Sequence, residues 1–351
     1  MSTMRAMVLH GVGHPLQLEQ VPMPKIGPND VLVKMNAVGI GLTVVHMIAT
    51  PGVVTAYPRI PGHEGAGTVV ATGSEVRTLK VGQRVTNHFY LTCGQCRYCR
   101  SGRETLCVNF RGNVGMGCDG AYAEYMALPE RNCVPIPDGV SDIDAAVASD
   151  AIATPYHACH KEAQIGPGDD VLVFGAGGGV GVHMVQMAKL CGGRVIGVDL
   201  GEARLSLAKT HGADEVIDGG RGDIVRQVQD FTGGRGVDAA IDVVGASATL
   251  QASFDALARG GRMVVVGVRP PAVFGEAPVF PVDGIQVVRR GLEIHGSRYV
   301  TAAEIAQTLE ILRQGRVKAV VSHVGKLEDI ESIHQMLRDN AIPGRAAAVI
   351  S

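Results

Sequence analysis

Four cysteines, Cys93, Cys96, Cys99 and Cys107, follow the spacing C-x2-C-x2-C-x7-C. Thiolates are the preferred ligands of a closed tetrahedral zinc site, and a site with four protein ligands is structural because no position remains for a substrate. Disulfides are disfavoured, since nothing else in the chain is typical of a secreted protein. An iron–sulfur cluster stays open, although bacterial ferredoxins close the motif after three residues and a Pro follows, whereas Val108 follows here. The spacing therefore favours structural zinc.

A glycine-rich run, Gly-Ala-Gly-Gly-Gly-Val-Gly, occupies positions 175–181. It separates an apolar stretch at 171–174, predicted to be a buried strand, from a predicted helix at 182–190. Glycines allow the backbone to approach a pyrophosphate closely, and a helix N-terminus offers free N–H groups and the positive end of its dipole. The residues predicted to contact the cofactor are Gly175, Gly178, Gly179, Val180 and Gly181.

Asp199 ends the next predicted strand. A carboxylate in this place accepts hydrogen bonds from the adenosine ribose hydroxyls and repels a 2′-phosphate, which favours NAD over NADP. The alternative interpretation is that Asp199 only caps the following helix. Arg204 lies close behind it in the sequence and moderates the predicted preference, because a guanidinium accommodates a 2′-phosphate.

The length and charge of the chain set its broad class. With 351 residues, two domains are expected. The formal charge of −2 gives no electrostatic reason to expect nucleic acid or an anionic membrane as a partner. We expect no export signal, because residues 1–10 lack a basic segment followed by an apolar run, and no membrane span, because no apolar run is long enough. Thiols kept available for a metal fit a reducing compartment, so we expect a cytoplasmic protein.

The pattern of apolar residues changes near residue 154. Before it, short apolar runs broken by Gly and Pro predict a β-rich domain. After it, continuous apolar strands alternate with helices, which predicts a doubly wound parallel sheet and an α/β fold. The tail predicts a strand near 292–295, a helix near 302–313 and a final strand at 346–350. We expect this tail to fold back onto the first domain.

These motifs together resemble the zinc-containing medium-chain dehydrogenase/reductase family, the alcohol dehydrogenase superfamily. The resemblance rests on Gly62-His63-Glu64-Gly65-Ala66-Gly67, the four cysteines, the glycine-rich turn with Asp199, and Pro343-Gly344-Arg345. It implies a GroES-like catalytic domain at 1–153 and 295–351, with a zinc lobe at about 90–112, and a Rossmann domain for NAD at 154–294. It also implies an alcohol or carbonyl substrate and a homo-oligomer, either a dimer or a tetramer, as in prokaryotic NAD-dependent members.

The resemblance implies a catalytic zinc site that this chain matches only in part. His63 matches one ligand, Glu64 a possible alternate ligand, and Asp150 a third. The remaining ligand position is Gly41, which has no side chain to coordinate a metal. Val44 replaces the Asp that usually orients the zinc-bound His, and loss of such a partner typically weakens metal binding about 10–100-fold.

Three further residues are assigned roles by the same resemblance. Thr43 and His46 match the family's proton-relay pair, and His46 is alternatively a surface histidine. Arg345 resembles a residue that contacts the pyrophosphate, with a surface salt bridge as the alternative.

Three functions stay open at this point. In the first, zinc bound by His63, Glu64 and Asp150 assists hydride transfer between NAD and an alcohol or carbonyl. In the second, the active site holds no metal and reduces an activated C=C bond. In the third, the chain binds NAD and zinc as a sensor without catalysis. Catalytic roles are predicted for Thr43, His46 and Glu64.

Overall fold

The computed structural model describes residues 2–350, which divide into two compact units. Unit 1 comprises residues 2–153 and 300–350, and unit 2 comprises residues 154–299. Within the described residues, no helix combines the length and the apolar composition that a bilayer span requires.

The elements are numbered along the chain. The strands are β1 (Thr3–Val8), β2 (Gln17–Pro22), β3 (Asp30–Ile40), β4 (Glu64–Thr72), β5 (Arg84–Asn87), β6 (Tyr125–Pro129), β7 (Cys133–Pro135), β8 (Asp170–Phe174), β9 (Arg194–Asp199), β10 (Glu215–Asp218), β11 (Val237–Asp242), β12 (Leu257–Val265), β13 (Glu293–Gly296), β14 (Val321–Lys326) and β15 (Arg345–Val349). The helices are α1 (Leu42–Ala49), α2 (Arg97–Arg100), α3 (Asp142–Val147), α4 (Ala153–His157), α5 (Gly181–Leu190), α6 (Glu202–Thr210), α7 (Ile224–Phe231), α8 (Ser247–Asp255), α9 (Pro271–Phe274), α10 (Gly284–Arg290), α11 (Ala302–Arg313) and α12 (Ile330–Arg338).

Unit 2 is built on a six-stranded parallel sheet with the order β10-β9-β8-β11-β12-β13. This is the Rossmann order, in which the direction of strand addition reverses between β8 and β11. All five residues of β8 are buried, as expected for a central parallel strand covered on both faces. The predicted doubly wound α/β fold is confirmed.

The tail begins later than predicted. The strand expected near 292–295 is β13, which pairs in parallel with β12 and so belongs to the Rossmann sheet instead of folding back onto the first domain. The division between the units therefore lies after residue 299 and not after residue 294. A short apolar run predicts a strand, but the residues within it do not indicate which sheet the strand joins.

Unit 1 is built on a seven-stranded sheet with the order β14-β15-β3-β4-β5-β7, in which β6 also pairs with β3. Strand β3 is central, because it pairs with β4 along one edge and with β6 and then β15 along the other. Its first half alternates, with Val31, Val33 and Met35 buried, as expected for a strand with one face on the core. The predicted β-rich domain is confirmed.

A long helical segment of unit 1 contains wide turns. Helix α3 continues into a π-helical turn at Ala148–Ile152, in which all five residues are buried. Turns of this kind leave the regular i to i+4 hydrogen-bond pattern and are frequent at functional sites. Asp150 lies in this turn, within a helical segment and not at its start.

Gly197 packs closely against Ala176 of the glycine-rich run, so its substitution tests the fold. A β-carbon added at Gly197 in β9 would lie 2.9 Å from the Ala176 β-carbon and 3.5 Å from that of Ala208. We expect Gly197→Ala to lower the free energy of unfolding by about 1–3 kcal/mol, because overpacking a dense core costs about this much. In the same sheet, Gly296→Ala meets no atom within 4 Å and should change stability by less than about 0.5 kcal/mol. Equal urea midpoints for the two variants would contradict this packing.

Candidate metal and cofactor sites

The four cysteines of the predicted lobe form one cluster. The Cys96–Cys99 and Cys93–Cys107 sulfur distances are both 3.5 Å, and the Cys93–Cys99 and Cys96–Cys107 distances are both 3.9 Å. A tetrahedron of thiolates about 2.3 Å from zinc has edges of about 3.8 Å. A disulfide requires a sulfur–sulfur distance of about 2.05 Å, so these distances exclude one. The donor set and spacing therefore fit zinc.

Local backbone groups favour thiolates in this cluster. The Cys93 N–H donates to the Cys107 sulfur over 3.3 Å, and the Cys96 N–H donates to the Cys93 sulfur over 3.4 Å. The backbone N–H of Gln95 is the main cause that lowers the pKa of Cys93 to about 6, whereas burial raises the pKa of Cys99 to about 12. A bound cation is therefore needed before all four sulfurs are thiolates at neutral pH.

A second cluster brings His63, Glu64 and Asp150 together inside unit 1. The His63 Nε2 atom is 2.9 Å from Asp150 Oδ2 and 3.4 Å from Glu64 Oε1. All three side chains are buried, and the His63 ring lies 4.3 Å from the Phe89 ring, centroid to centroid. One imidazole nitrogen facing two carboxylates is an arrangement that a divalent cation would stabilise.

Asn87 holds the backbone on both sides of Glu64. Its Nδ2 group donates to the His63 carbonyl over 2.8 Å, and its Oδ1 atom accepts from the Gly65 N–H over 2.7 Å. Asn87 is 1% exposed at the end of β5, so both bonds are shielded from water. Asn87 was not among the predicted site residues. The sequence of β5, Arg-Val-Thr-Asn, does not signal this role, because the partners of Asn87 lie at the start of β4, more than twenty residues away in the chain.

Two glycines make room for a buried ion pair beside this cluster. Gly39 pairs with Glu64 across β3 and β4, and an added β-carbon at Gly39 would overlap the Glu64 carboxylate. The register that pairs Ala346 with Ile40 places Arg345 opposite Gly41, where an added β-carbon would overlap the Arg345 guanidinium. The two charged side chains meet above β3, where Arg345 Nη2 pairs with Glu64 Oε1.

Arg345 therefore lies in the space that a ligand side chain at position 41 would need. The backbone of Gly41 is extended, with φ −147°, so that residue is required by space and not by backbone conformation. Arg345 is 3% exposed, which shows that the alternative of a surface salt bridge is wrong. Burial lowers the pKa of Arg345 to about 9, so the guanidinium stays charged at neutral pH. Contact between Arg345 and a pyrophosphate stays a prediction.

The donor set of the second cluster fits zinc through one nitrogen and two carboxylate oxygens, as in catalytic sites with three protein ligands and an open position. The fit is incomplete in one respect. The His63 Nδ1 atom is buried and has no hydrogen-bond partner within residues 2–350, and Val44 is itself buried and apolar. The ring that would bind metal is therefore oriented by packing and by the contact of its Nε2 atom with Asp150, without the usual acceptor at Nδ1.

Thr43 and His46 lie on α1, which begins directly after Gly41. Their spacing of three residues puts them on the same face of the helix, and both are partly exposed. Proton transfer through this pair stays a prediction.

The glycine-rich run forms the tight turn between β8 and α5. Gly175 has φ +76°, a conformation that favours glycine, and its N–H donates to the Val198 carbonyl over 2.8 Å. An added β-carbon at Gly181 would overlap the Gly175 carbonyl oxygen, so glycine lets the helix pack onto the strand end. The turn thus has the close packing that a dinucleotide-binding loop needs.

A hydrogen bond joins the Asp199 carboxylate directly to this turn. Asp199 Oδ2 accepts from the Gly177 N–H and Oδ1 accepts from the Leu200 N–H, both over 2.7 Å. Arg204 Nη1 is 3.7 Å from Asp199 Oδ1, and the Arg204 backbone fills the space a β-carbon at Gly177 would need. Gly177 was absent from the predicted contact residues, although it is the glycine that Asp199 holds. A carboxylate at the strand end beside a glycine cradle fits the ribose and pyrophosphate of NAD.

Comparison with known proteins agrees with this geometry. Residues 27–138 match the family described as alcohol dehydrogenase GroES-like domain, and residues 179–314 match the family described as zinc-binding dehydrogenase. An alcohol dehydrogenase of Geobacillus stearothermophilus is 36% identical over 346 residues, covering 97% of this chain and 98% of the relative.

Two further proteins are similar over nearly their whole length. An NAD-dependent alcohol dehydrogenase of Sulfurisphaera tokodaii is 33% identical over 357 residues, covering 99% of this chain and 100% of the relative. The crystal structure of the alcohol dehydrogenase of Aeropyrum pernix superposes with a TM-score of 0.89 at 31% identity, covering 98% of this chain and 99% of that one. The chain thus belongs to the zinc-containing medium-chain dehydrogenase/reductase family, the alcohol dehydrogenase superfamily of NAD-dependent oxidoreductases.

Proposed function

We propose that this chain transfers a hydride reversibly between NAD and an alcohol or carbonyl substrate, with zinc held by His63, Glu64 and Asp150. The observation that carries this proposal is the convergence of those three buried side chains, with donor atoms within 4.8 Å of one another. When bound, zinc supplies Lewis acidity toward the substrate oxygen and lowers the pKa of an alcohol, and NAD exchanges the hydride.

The remaining steps are assigned to side chains of this chain. Thr43 accepts the hydroxyl proton of the alcohol, and His46 passes that proton toward solvent. Asn87 keeps the His63 and Glu64 backbone in place through its two hydrogen bonds. Within unit 2, the pyrophosphate is bound by Gly175, Gly178, Gly179, Val180 and Gly181, and the ribose is bound by Asp199 with Arg204 beside it. Cys93, Cys96, Cys99 and Cys107 bind a separate, structural zinc ion.

A second candidate is reduction of an activated C=C bond without a metal in the active site. One observation favours it: the Arg345 guanidinium lies where the side chain of a further metal ligand would need to be. The two candidates differ in their response to chelators, because only the zinc-assisted reaction depends on the His63 site.

We also propose a homo-oligomer in a cytoplasmic location. Val268, Val279, Ile285 and Val288 in unit 2 are 76%, 72%, 62% and 82% exposed, which is typical of a surface that another subunit covers. They belong to the segment that leads into β13, the last strand of its sheet. The cytoplasmic proposal rests on the clustered free thiols, which a reducing compartment preserves.

The metal proposal is tested by zinc content and turnover. With zinc supplied in excess, we expect about two zinc ions per chain in the native protein and about one in His63→Ala, because one ligand of the second site is lost. The kcat/KM for alcohol oxidation should fall about a hundredfold or more, since Lewis acid catalysis contributes several kcal/mol. His14→Ala, an exposed histidine of the same unit, is the control. One zinc ion per chain in both the native protein and His63→Ala, with turnover unchanged by the substitution, would rule out the zinc-assisted mechanism.

The structural zinc site has a separate test. Cys107→Ser replaces a buried thiol, so we expect the loss of about one zinc ion per chain and a lower thermal midpoint. Cys191→Ser changes a cysteine outside the cluster and should leave both quantities unchanged. Native mass spectrometry of the metal-loaded protein measures the number of zinc ions per chain. Full zinc content in Cys107→Ser would contradict the assignment.

The cofactor preference depends on Asp199. We expect Asp199→Ala to weaken NAD binding by about 10–150-fold, since a hydrogen bond to a charged group contributes about 1.5–3 kcal/mol. The ratio of NADP to NAD affinity should rise, because the repulsion of a 2′-phosphate is lost. Asp218→Ala, a carboxylate at the end of the neighbouring β10, is the control. If binding of both cofactors weakened equally, Asp199 would act only by holding the turn.

A further inference from the structure

Arg345 and the candidate metal site use the same carboxylate. Glu64 Oε1 is the atom that pairs with Arg345 Nη2, and it is also the oxygen 3.4 Å from His63 Nε2. Glu64 is fully buried, so water does not replace either partner when the other is bound. A metal that takes Glu64 Oε1 as a ligand therefore competes with the guanidinium for that oxygen.

Gly41 makes this competition possible. A β-carbon at position 41 would overlap the guanidinium, so any larger residue there would force Arg345 out of its present place. The cross-strand register between β15 and the end of β3 sets this position, and the burial of Arg345 keeps it there. Glycine at position 41 therefore has two effects. It supplies no metal ligand, and it leaves room for the Arg345 guanidinium.

The charges in the cluster show which occupant is favoured. Glu64 and Asp150 bring two negative charges in their ionised forms, and Arg345 brings one positive charge. Zinc would leave a buried site with one excess positive charge while Arg345 is present, but a neutral site if Arg345 were absent. Uncompensated buried charge is costly, so Arg345 opposes metal binding by charge as well as by occupying Glu64.

We propose that Arg345 is a built-in competitor for the metal, and that zinc gains Glu64 as a ligand only when the Arg345–Glu64 pair opens. This inference rests on the proposed zinc-assisted function and adds that the zinc of this site is weakly held and exchangeable, in contrast to the zinc of the cysteine lobe. Arg345 is a positioning residue here, since it acts on the metal through Glu64.

The test is the zinc affinity of the second site in the full-length protein, measured by competition with a chromophoric chelator after the cysteine lobe is filled. We expect Arg345→Met to raise that affinity about tenfold, the lower end of the effect of partners that contact metal ligands. Arg345→Lys retains the charge and should stay within a few-fold of the native affinity. Arg84→Met, which breaks the half-buried pair with Asp142 in the same unit, is the matched control and should have the native affinity.

A second variant covers the case in which Arg345→Met fails to fold. Gly41→Ala adds no metal donor, but its methyl group displaces the guanidinium, so it should also raise the affinity of the second site. Unchanged or weaker affinity in the folded variants, with a second zinc that still depends on His63, would overturn the competition and leave the proposed function standing. If native protein and variants all bound only the lobe zinc, both proposals would fail together.

Discussion

A buried ion pair between Glu64 and Arg345 constrains much of unit 1. Each charge would be costly in the core without the other, so the strands that carry them must keep their register on either side of β3. The glycines at 39 and 41 follow from this requirement, because larger side chains would exclude the two charged groups. The position of Glu64 in turn fixes the backbone of the neighbouring His63. Asn87 also holds that backbone, by donating a hydrogen bond to the His63 carbonyl.

The two candidate metal sites of the chain are opposite in character. The cysteine lobe gathers four soft ligands from one short loop, so metal binding and loop folding are one event. The His63 site gathers hard ligands from separate elements that are already held by the sheet and by the π-helical turn. The charge of these donors is partly balanced by Arg345. Metal at the first site would contribute to stability, whereas metal at the second would contribute to the proposed chemistry.

Features that depend on neighbours in the sequence were predictable, and features that depend on distant strands were not. The four cysteines, the glycine-rich turn and helix α11 at Ala302–Arg313 all follow from local spacing. The roles of Asn87 and Gly177 depend on which backbone groups other strands bring near, which periodicity does not encode. The pairing of Arg345 with Glu64 depends on a register between residues about three hundred positions apart. The sheet that β13 joins is likewise set by tertiary packing.

The order of the strands has a consequence for synthesis on the ribosome. Unit 2 is continuous in sequence and can fold as soon as residues 154–299 have emerged. Unit 1 lacks β15 until residues 345–349 are made, and β15 carries the arginine that neutralises Glu64. The nascent N-terminal segment therefore holds an unbalanced carboxylate pair and an unfilled space above β3 while unit 2 is already complete. The Glu64–Arg345 pair therefore forms only after unit 2 has been synthesised, and a chain truncated before β15 would expose this defect to proteolytic quality control.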